Sequence, residues 1–308
     1  MTEFTPDSAA LGHVTPPAPA RIRAGEGRGW TRLGVRSIAL LYLGLLLVLP
    51  IALIFLRTFD HGIEPVLKAL RAPQFQSAFW LTITIAAIAV PINTVFGVIA
   101  AMTLVRRRFP GRGLLNAIID LPFALSPVVI GLSLVLVYGK SSWIGGFLDD
   151  HGIKVIFAMP GMVLATIFVS LPFVVREVMP VLREVGTDQE EAASTLGSGS
   201  MRTFWRITLP AIKWGVIYGV ILTTARSLGE FGAVSIVSGK IAGKTQTLTL
   251  YVEDRYEGFQ LVAAYTASIV LALMALVVLG AMSLYQSGRF RRRRNHGDLG
   301  QPSDQAVR

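Results

Sequence analysis

Long apolar runs constrain this chain more than any other feature. They fall at 37–56, 78–105, 115–138, 155–175, 214–237 and 261–285, and each approaches or exceeds the ~20 residues that carry a helix across ~30 Å of hydrocarbon. Inside hydrocarbon every backbone N–H and C=O must find a partner within the protein, and runs of this length do so as helices. The expected fold class is an all-α integral membrane protein with about six transmembrane helices. Composition agrees. Of 308 residues, 52% are hydrophobic and 16% charged, where a soluble domain carries about a quarter charged residues.

The remaining charges orient the chain. Formal net charge is +10, and the basic residues gather in the tails and beside the apolar runs. Arg21, Arg23, Arg28, Arg32 and Arg36 precede the first run, Arg106, Arg107, Arg108 and Arg112 follow the second, and Arg289 and Arg291 to Arg294 follow the last. Loops rich in Lys and Arg stay on the cytoplasmic side. Both termini are therefore expected in the cytoplasm, in a multi-pass protein of the cytoplasmic (inner) membrane. Residues 1–36 are expected as a disordered basic tail, 37–287 as the transmembrane domain with a cytoplasmic loop at 184–212, and 288–308 as a second basic tail. Segments 57–76, with an amphipathic stretch at 64–71, 140–154 and 238–258 are expected outside. The first apolar run starts too late and is too long for a secretory signal.

Several chemistries are excluded. With no cysteine there is no disulfide, thiolate metal site or cysteine nucleophile. His13, His61, His151 and His296 are scattered without metal-ligand spacing. No serine–histidine–acid set is suggested, so no catalytic residue and no metal site are expected. Gly239-Lys240-Ile241-Ala242-Gly243-Lys244-Thr245 imitates a phosphate loop, but three residues separate its glycines where the motif needs four. ATP binding by this segment is rejected. Lys240, Lys244 and Arg255 either meet an acidic partner outside or form a solvated loop.

Polar residues inside the apolar runs carry the next signal. Arg226 and Glu230 sit four apart, on one helix face. Ionisable groups at such depth are costly and face the bundle interior or a watery path. They either lock the bundle as an ion pair or, with Thr223, Thr224 and Ser227, line the path of an anion, where hydroxyls and one arginine offer weak, transient binding. Pro91 lies within the second run, and Pro122, Ser126 and Pro127 should kink the third. Asp120 is expected to cap a short helix near the cytoplasmic end of the third run, with a buried gating role as the alternative reading. Arg176 and Glu177 are expected to anchor the loop after the fourth run at headgroup level.

The loop at 184–212 is polar yet reads as helix–turn–helix. Thr187 followed by Glu190 fits a capping box. A short helix over 188–196 should break at Gly197-Ser198-Gly199-Ser200, with glycine at a positive-φ C-cap and a serine capping the next helix. That helix carries Arg202, Phe204, Trp205, Arg206 and Ile207, and Pro210 marks a boundary or kink before the next span.

Within this loop, Glu191-Ala192-Ala193, three residues, Gly197, nine residues, then Ile207-x-Leu209-Pro210 reproduces the EAA loop of ABC importer permeases. On these positions the chain resembles a transmembrane subunit of a type I ABC importer. It is most similar to the sulfate/thiosulfate permeases of the CysW type, over nearly all of the chain except its tails. The resemblance implies the type I permease fold and a coupling helix that docks on an ATP-binding subunit through Glu191, Ala192, Ala193, Gly197, Ile207, Leu209 and Pro210. Phe204 and Trp205 are aromatic anchors there, or they pack on the chain's own spans. The implied partners are a second similar permease, two ATP-binding subunits, an extracytoplasmic sulfate/thiosulfate-binding protein and membrane lipid, with no nucleic acid. ATP and Mg²⁺ would be used by the ATP-binding partner, and no cofactor by this chain, which is not itself an enzyme.

Gly229-Glu230-Phe231-Gly232-Ala233 looks like the family's segment near the translocation path, where Gly229 and Gly232 would permit close helix contact. Segments 229–238 and 247–256 carry the resemblance to the sulfate type. A molybdate or tungstate permease is the alternative within the class. An ATP-independent anion channel or carrier is the alternative outside it, and a membrane-embedded hydrolase is disfavoured by the missing nucleophile–base set.

Overall fold

The computed structural model describes residues 28–60 and 62–297. Most of the expected N-terminal tail, the end of the C-terminal one, His13 and His61 lie outside the described residues. The chain divides into two units, Met1–Ala52 and Leu53–Arg308. In the first, α1 (Arg28–Leu43) passes through a π turn (Gly44–Val48) towards α2 (Leu49–Phe59). The stretch Arg36–Phe59 is long and apolar enough to cross a membrane. The helix begins at Arg28, ahead of the expected tail boundary, because a polar residue can extend a helix beyond its apolar stretch at little cost.

The second unit is built of helices and connecting turns, with no strand among its described residues. It holds α3 (Glu64–Arg71), α4 (Pro73–Arg106), α5 (Arg112–Ala124), α6 (Pro127–Tyr138), α7 (Trp143–Asp150), α8 (Met159–Val185), α9 (Asp188–Thr195) and α10 (Ser200–Thr203). A π turn (Phe204–Thr208) leads into α11 (Leu209–Leu228), followed by α12 (Gly232–Val237), α13 (Leu248–Glu257) and α14 (Leu261–Gly297). Among the described residues of the chain, five helices are long and apolar enough to cross a membrane, or up to six if the bent pair α5–α6 counts as one span.

The core is the junction of α4, α8 and α11. Val174 of α8 lies against two glycines. A Cβ on Gly97 would stand 2.6 Å from Val174 Cβ, and one on Gly219 2.8 Å from Val174 Cα. Small residues let helix backbones approach where dispersion must supply the attraction. Ala101, Leu104, Val175, Val178, Leu182 and Ile212 complete the buried layer. Pro91 leaves α4 continuous over 34 residues.

Two expected spans are divided. The third is not one kinked helix: α5 and α6 meet at 114° across Leu125-Ser126. Ser126 is extended, with ψ 136°, because the residue before proline is driven from the helical region. The fifth ends at Leu228 and restarts as α12 after Gly229-Glu230-Phe231. The two short pieces, α6 and α12, pack closely. A Cβ on Gly131 would lie 2.7 Å from Ala233 O, and one on Gly232 2.9 Å from Pro127 Cβ. Gly232 thus makes the close contact expected of it. Gly229 does not, since its nearest neighbour is Ala225 O of the preceding helix, at 3.7 Å.

Segment 238–258 is not simply a polar loop. Thr245, Gln246, Thr247, Leu248, Leu250 and Tyr251 are buried. Tyr251 meets Phe75 edge-on at 5.9 Å, and Leu248 N donates to Thr82 Oγ1 at 2.9 Å. α13 is therefore part of the core, packed on α4 and α14. The last helix runs on to Gly297, past the expected boundary at 288, although only Leu261–Ala281 qualifies as a span.

Candidate functional site

The loop between α8 and α11 is built on Arg106, the last residue of α4. Its Nη1 donates to Leu182 O at 3.2 Å and its Nη2 to Gly186 O at 2.6 Å. Nη2 also donates to Glu190 Oε1 at 3.1 Å, and Nε lies 3.1 Å from Glu190 Oε2. Thr208 Oγ1 donates to the same Glu190 Oε1 at 2.8 Å. The expected capping box is not formed: Thr187 has helical backbone angles and no side-chain cap bond. A capping bond is worth about 1 kcal/mol, and charge-assisted bonds to a guanidinium about 1.5–3 kcal/mol, so Glu190 turns to Arg106.

α9 closes on Gly197, at φ +80°, with Ser198 N donating to Ala193 O at 2.9 Å. This is the left-handed cap that glycine tolerates. The next helix is capped by Gly199 rather than by a serine. Ser198 Oγ instead accepts from Thr203 Oγ1 at 3.1 Å. The chain then runs as one helix from Ser200 to Leu228. The wide turn, in which Leu209 N donates to Phe204 O, shifts the hydrogen-bond ladder just before Pro210, so Pro210 does not end the helix.

Glu191, Ala192, Gly197 and Pro210 are exposed, while Ala193, Ile207 and Leu209 are half-buried. Leu196, Met201 and Trp205 present large apolar groups outward. Phe204 turns inward against the α4–α8–α11 core. Its ring sits edge-on to Trp205 at 5.4 Å. The two readings of these aromatics thus divide between neighbours, one inward and one outward.

A second polar site lies at the break between α11 and α12. Arg226 Nη1 is 2.5 Å from Glu230 Oε2, with side chains 30% and 2% exposed. Glu230 Oε1 accepts from Ala233 N at 3.0 Å, capping α12, and Glu230 O accepts from Thr249 Oγ1 at 2.9 Å, tying in α13. Thr223 and Ser227 are buried; they continue the α11 stripe on which Gly215 and Gly219 meet α8. Thr224 donates to Val220 O at 2.7 Å and borders an apolar groove of about 600 Å³ with Val90, Pro91, Val270 and Met274. Of the five residues singled out for a path, three are thus buried, Thr224 faces the groove, and Arg226 is partly open.

A third polar site departs from the sequence expectation. Arg176 and Glu177 lie inside α8, not in a loop at headgroup level, and Asp120 lies inside α5 rather than capping it. Arg176 Nε donates to Asp120 Oδ1 at 2.8 Å, and its Nη2 to Oδ2. Asn116 Oδ1 accepts from Arg176 Nη2 at 3.2 Å, and Asn116 Nδ2 donates to Asp120 Oδ2 at 3.2 Å. Pairing and partial exposure offset the charge penalty that suggested the span ended at Val175.

On the α7 and α13 side the cations are largely engaged. Lys240 Nζ pairs with Glu253 at 2.7 Å. Arg255 donates to Gln260 and Gln74 and lies over the Tyr251 ring, while Lys244 is exposed. Lys140 pairs with Asp149 at 3.0 Å, and that hydrogen bond and charge push its pKa up. Among the described residues no group of three or more His, Cys, Asp or Glu could hold a metal ion.

Comparison with known proteins places this geometry. Residues 93–292 match the family described as "Binding-protein-dependent transport system inner membrane component". The chain belongs to that family. It is 51% identical over 271 residues to the "Sulfate transport system permease protein CysW" of Synechococcus elongatus, covering 88% of this chain and 95% of that protein. It is 39% identical over 255 residues to the "Sulfate transport system permease protein CysT" of Salmonella typhimurium, covering 83% and 92%. A crystal structure of a bacterial ABC transporter that imports the acidic polysaccharide alginate shares the fold, with TM-score 0.71 and 17% identity, over 85% of this chain and 96% of that one. As a binding-protein-dependent permease component, the chain is a multi-pass membrane protein with the fold of ABC importer subunits.

Proposed function

We propose that this chain is the membrane-spanning subunit of an ATP-driven importer that carries sulfate or thiosulfate across the cytoplasmic membrane. The observation that carries the reading is the complete Glu191–Pro210 motif, with Glu191, Ala192 and Gly197 exposed on or beside α9, in a chain half identical to a sulfate permease. Two ATP-binding subunits dock on α9 and its counterpart in a second, similar permease. Ala192 and Gly197 admit a close backbone, Glu191 offers a charge, and Leu196, Met201 and Trp205 supply apolar anchors. ATP and Mg²⁺ are used in those subunits, and this chain hydrolyses nothing. Both termini then lie in the cytoplasm, and an extracytoplasmic binding protein delivers the anion at the α7 and α13 side, where Lys244 is open.

The path takes its positive potential from Arg226, with Thr223, Thr224 and Ser227 as neighbouring hydroxyls. Glu230 holds that guanidinium, so a passing dianion competes with a carboxylate and is bound weakly enough to leave. Greater identity to CysW than to CysT sets the subunit type.

The test is uptake of labelled sulfate into vesicles holding the full complex, with ATP inside. ATP-dependent uptake blocked by thiosulfate but not by molybdate is expected. Uptake indifferent to ATP overturns the importer reading in favour of a channel or carrier, and block by molybdate moves the substrate to that oxyanion.

A further inference from the structure

We infer that Arg106, Glu190 and Thr208 form a strut that makes α9 move as one body with the spans, so that they set how tightly ATP use is coupled to transport. The inference rests on the proposal that ATP-binding subunits dock on α9. No α9 residue is fully buried, so apolar packing does not hold this helix. It is flanked by Gly186 at φ +68° and Gly197 at φ +80°, and a Cβ on either would meet nothing within 4 Å. At both ends α9 is therefore joined to its neighbours through a glycine turn rather than through continuous helix. Among the described residues, Glu190 is the one α9 side chain bonded to another helical element.

That connection is strong and shared. Arg106 takes two carbonyls at the end of α8, Leu182 O and Gly186 O, which a cation there stabilises. Glu190 stands in the first turn of α9, where a carboxylate is favoured. Thr208 belongs to the wide turn that leads into α11. One guanidinium–carboxylate pair thus joins α4, α8, α9 and the lead-in to α11. Its side chains are only 14% and 22% exposed, so it is less screened than a surface pair. A push on α9 reaches all three core helices through this pair. Without it the push passes only through the two glycine turns.

The experiment compares the full complex in vesicles with wild-type chain, Glu190→Gln, Arg106→Ala and Thr208→Val, reading labelled sulfate moved per ATP hydrolysed. In Glu190→Gln and Arg106→Ala, hydrolysis persists and the ratio falls by at least about ten-fold, the lower end for one charge-assisted bond; Thr208→Val shows a smaller fall. An unchanged ratio, or equal loss of hydrolysis and uptake, overturns the strut. A second readout needs no substrate: amide exchange over 188–196 in the assembled complex. It should quicken in Glu190→Gln while exchange in α4 and α8 stays as in wild type, and equal exchange overturns the inference. A wild-type complex that moves no sulfate fails the proposed function instead, and amide exchange then still decides the strut.

Discussion

Arg176 grips Asp120 side-on: Nε donates to Oδ1 at 2.8 Å while Nη2 meets Oδ2. The pair joins α8 to α5 with side chains 36% and 37% exposed. Removing one partner of a fully buried pair costs about 3–5 kcal/mol, and partial exposure lowers this. Asp120→Ala is therefore expected to destabilise by about 2 kcal/mol. Replacing both residues together, Asp120→Leu with Arg176→Met, should cost less than Asp120→Ala alone, because no charge is left unpaired. Thermal unfolding of the purified complex reads this, and a double variant no better than the single one would count against it.

Gly219 should tolerate no side chain. Its Cβ would stand 2.8 Å from Val174 Cα, a backbone atom that cannot turn aside. Gly219→Ala should cost about 1–3 kcal/mol through overpacking. Gly199→Ala should be nearly silent in the same assay, since nothing lies within 4 Å of its Cβ and its φ is −69°. Melting curves and the monodisperse fraction on gel filtration check both.

Phe204 and Trp205 should separate stability from partner binding. Phe204→Ala removes a ring packed on the core and should lower stability by about 2 kcal/mol, below the 3–5 of a fully buried ring. Trp205→Ala should lower stability less, by at most the about 0.5–1.5 kcal/mol of its edge-on contact with Phe204, and weaken binding of the ATP-binding subunit by at least about 1–2 kcal/mol. Melting temperature and subunit affinity, measured on both variants, would exchange places if the assignments were reversed.

Arg226→Leu combined with Glu230→Gln should abolish uptake with the complex intact, whereas Arg226→Leu alone would leave the buried Glu230 unpaired. Glu230→Gln by itself should retain more, because its Oε1 can still accept from Ala233 N and cap α12 while Arg226 is released. Initial rates of labelled sulfate uptake test the order. Full uptake in the double variant would remove Arg226 from the path.

Much of the fold was legible without coordinates. The apolar lengths implied helices because hydrocarbon leaves a backbone few other ways to satisfy its polar groups. The turn at Gly197 was legible because a left-handed cap is a local matter of one residue's φ, here +80°. The Glu191–Pro210 motif was legible for the same reason, being a fixed spacing within one short segment.

What tertiary structure alone decided is where distant polar groups find each other. Glu190 looked like a cap because its local partner, Thr187, stands near it in sequence. Its actual partner, Arg106, lies 84 residues away, and in sequence that arginine carries only an orientation signal. Arg176 looked like the end of a span because a lone charge in hydrocarbon is costly. It continues α8 because Asp120, 56 residues away, neutralises it. The break at Glu230 likewise depends on three elements meeting, with Arg226, Ala233 and Thr249 sharing one residue. Local sequence determines whether a helix can form and where it must turn. Which buried charge is satisfied by which partner is a property of packing, because it depends on distances that sequence spacing does not carry.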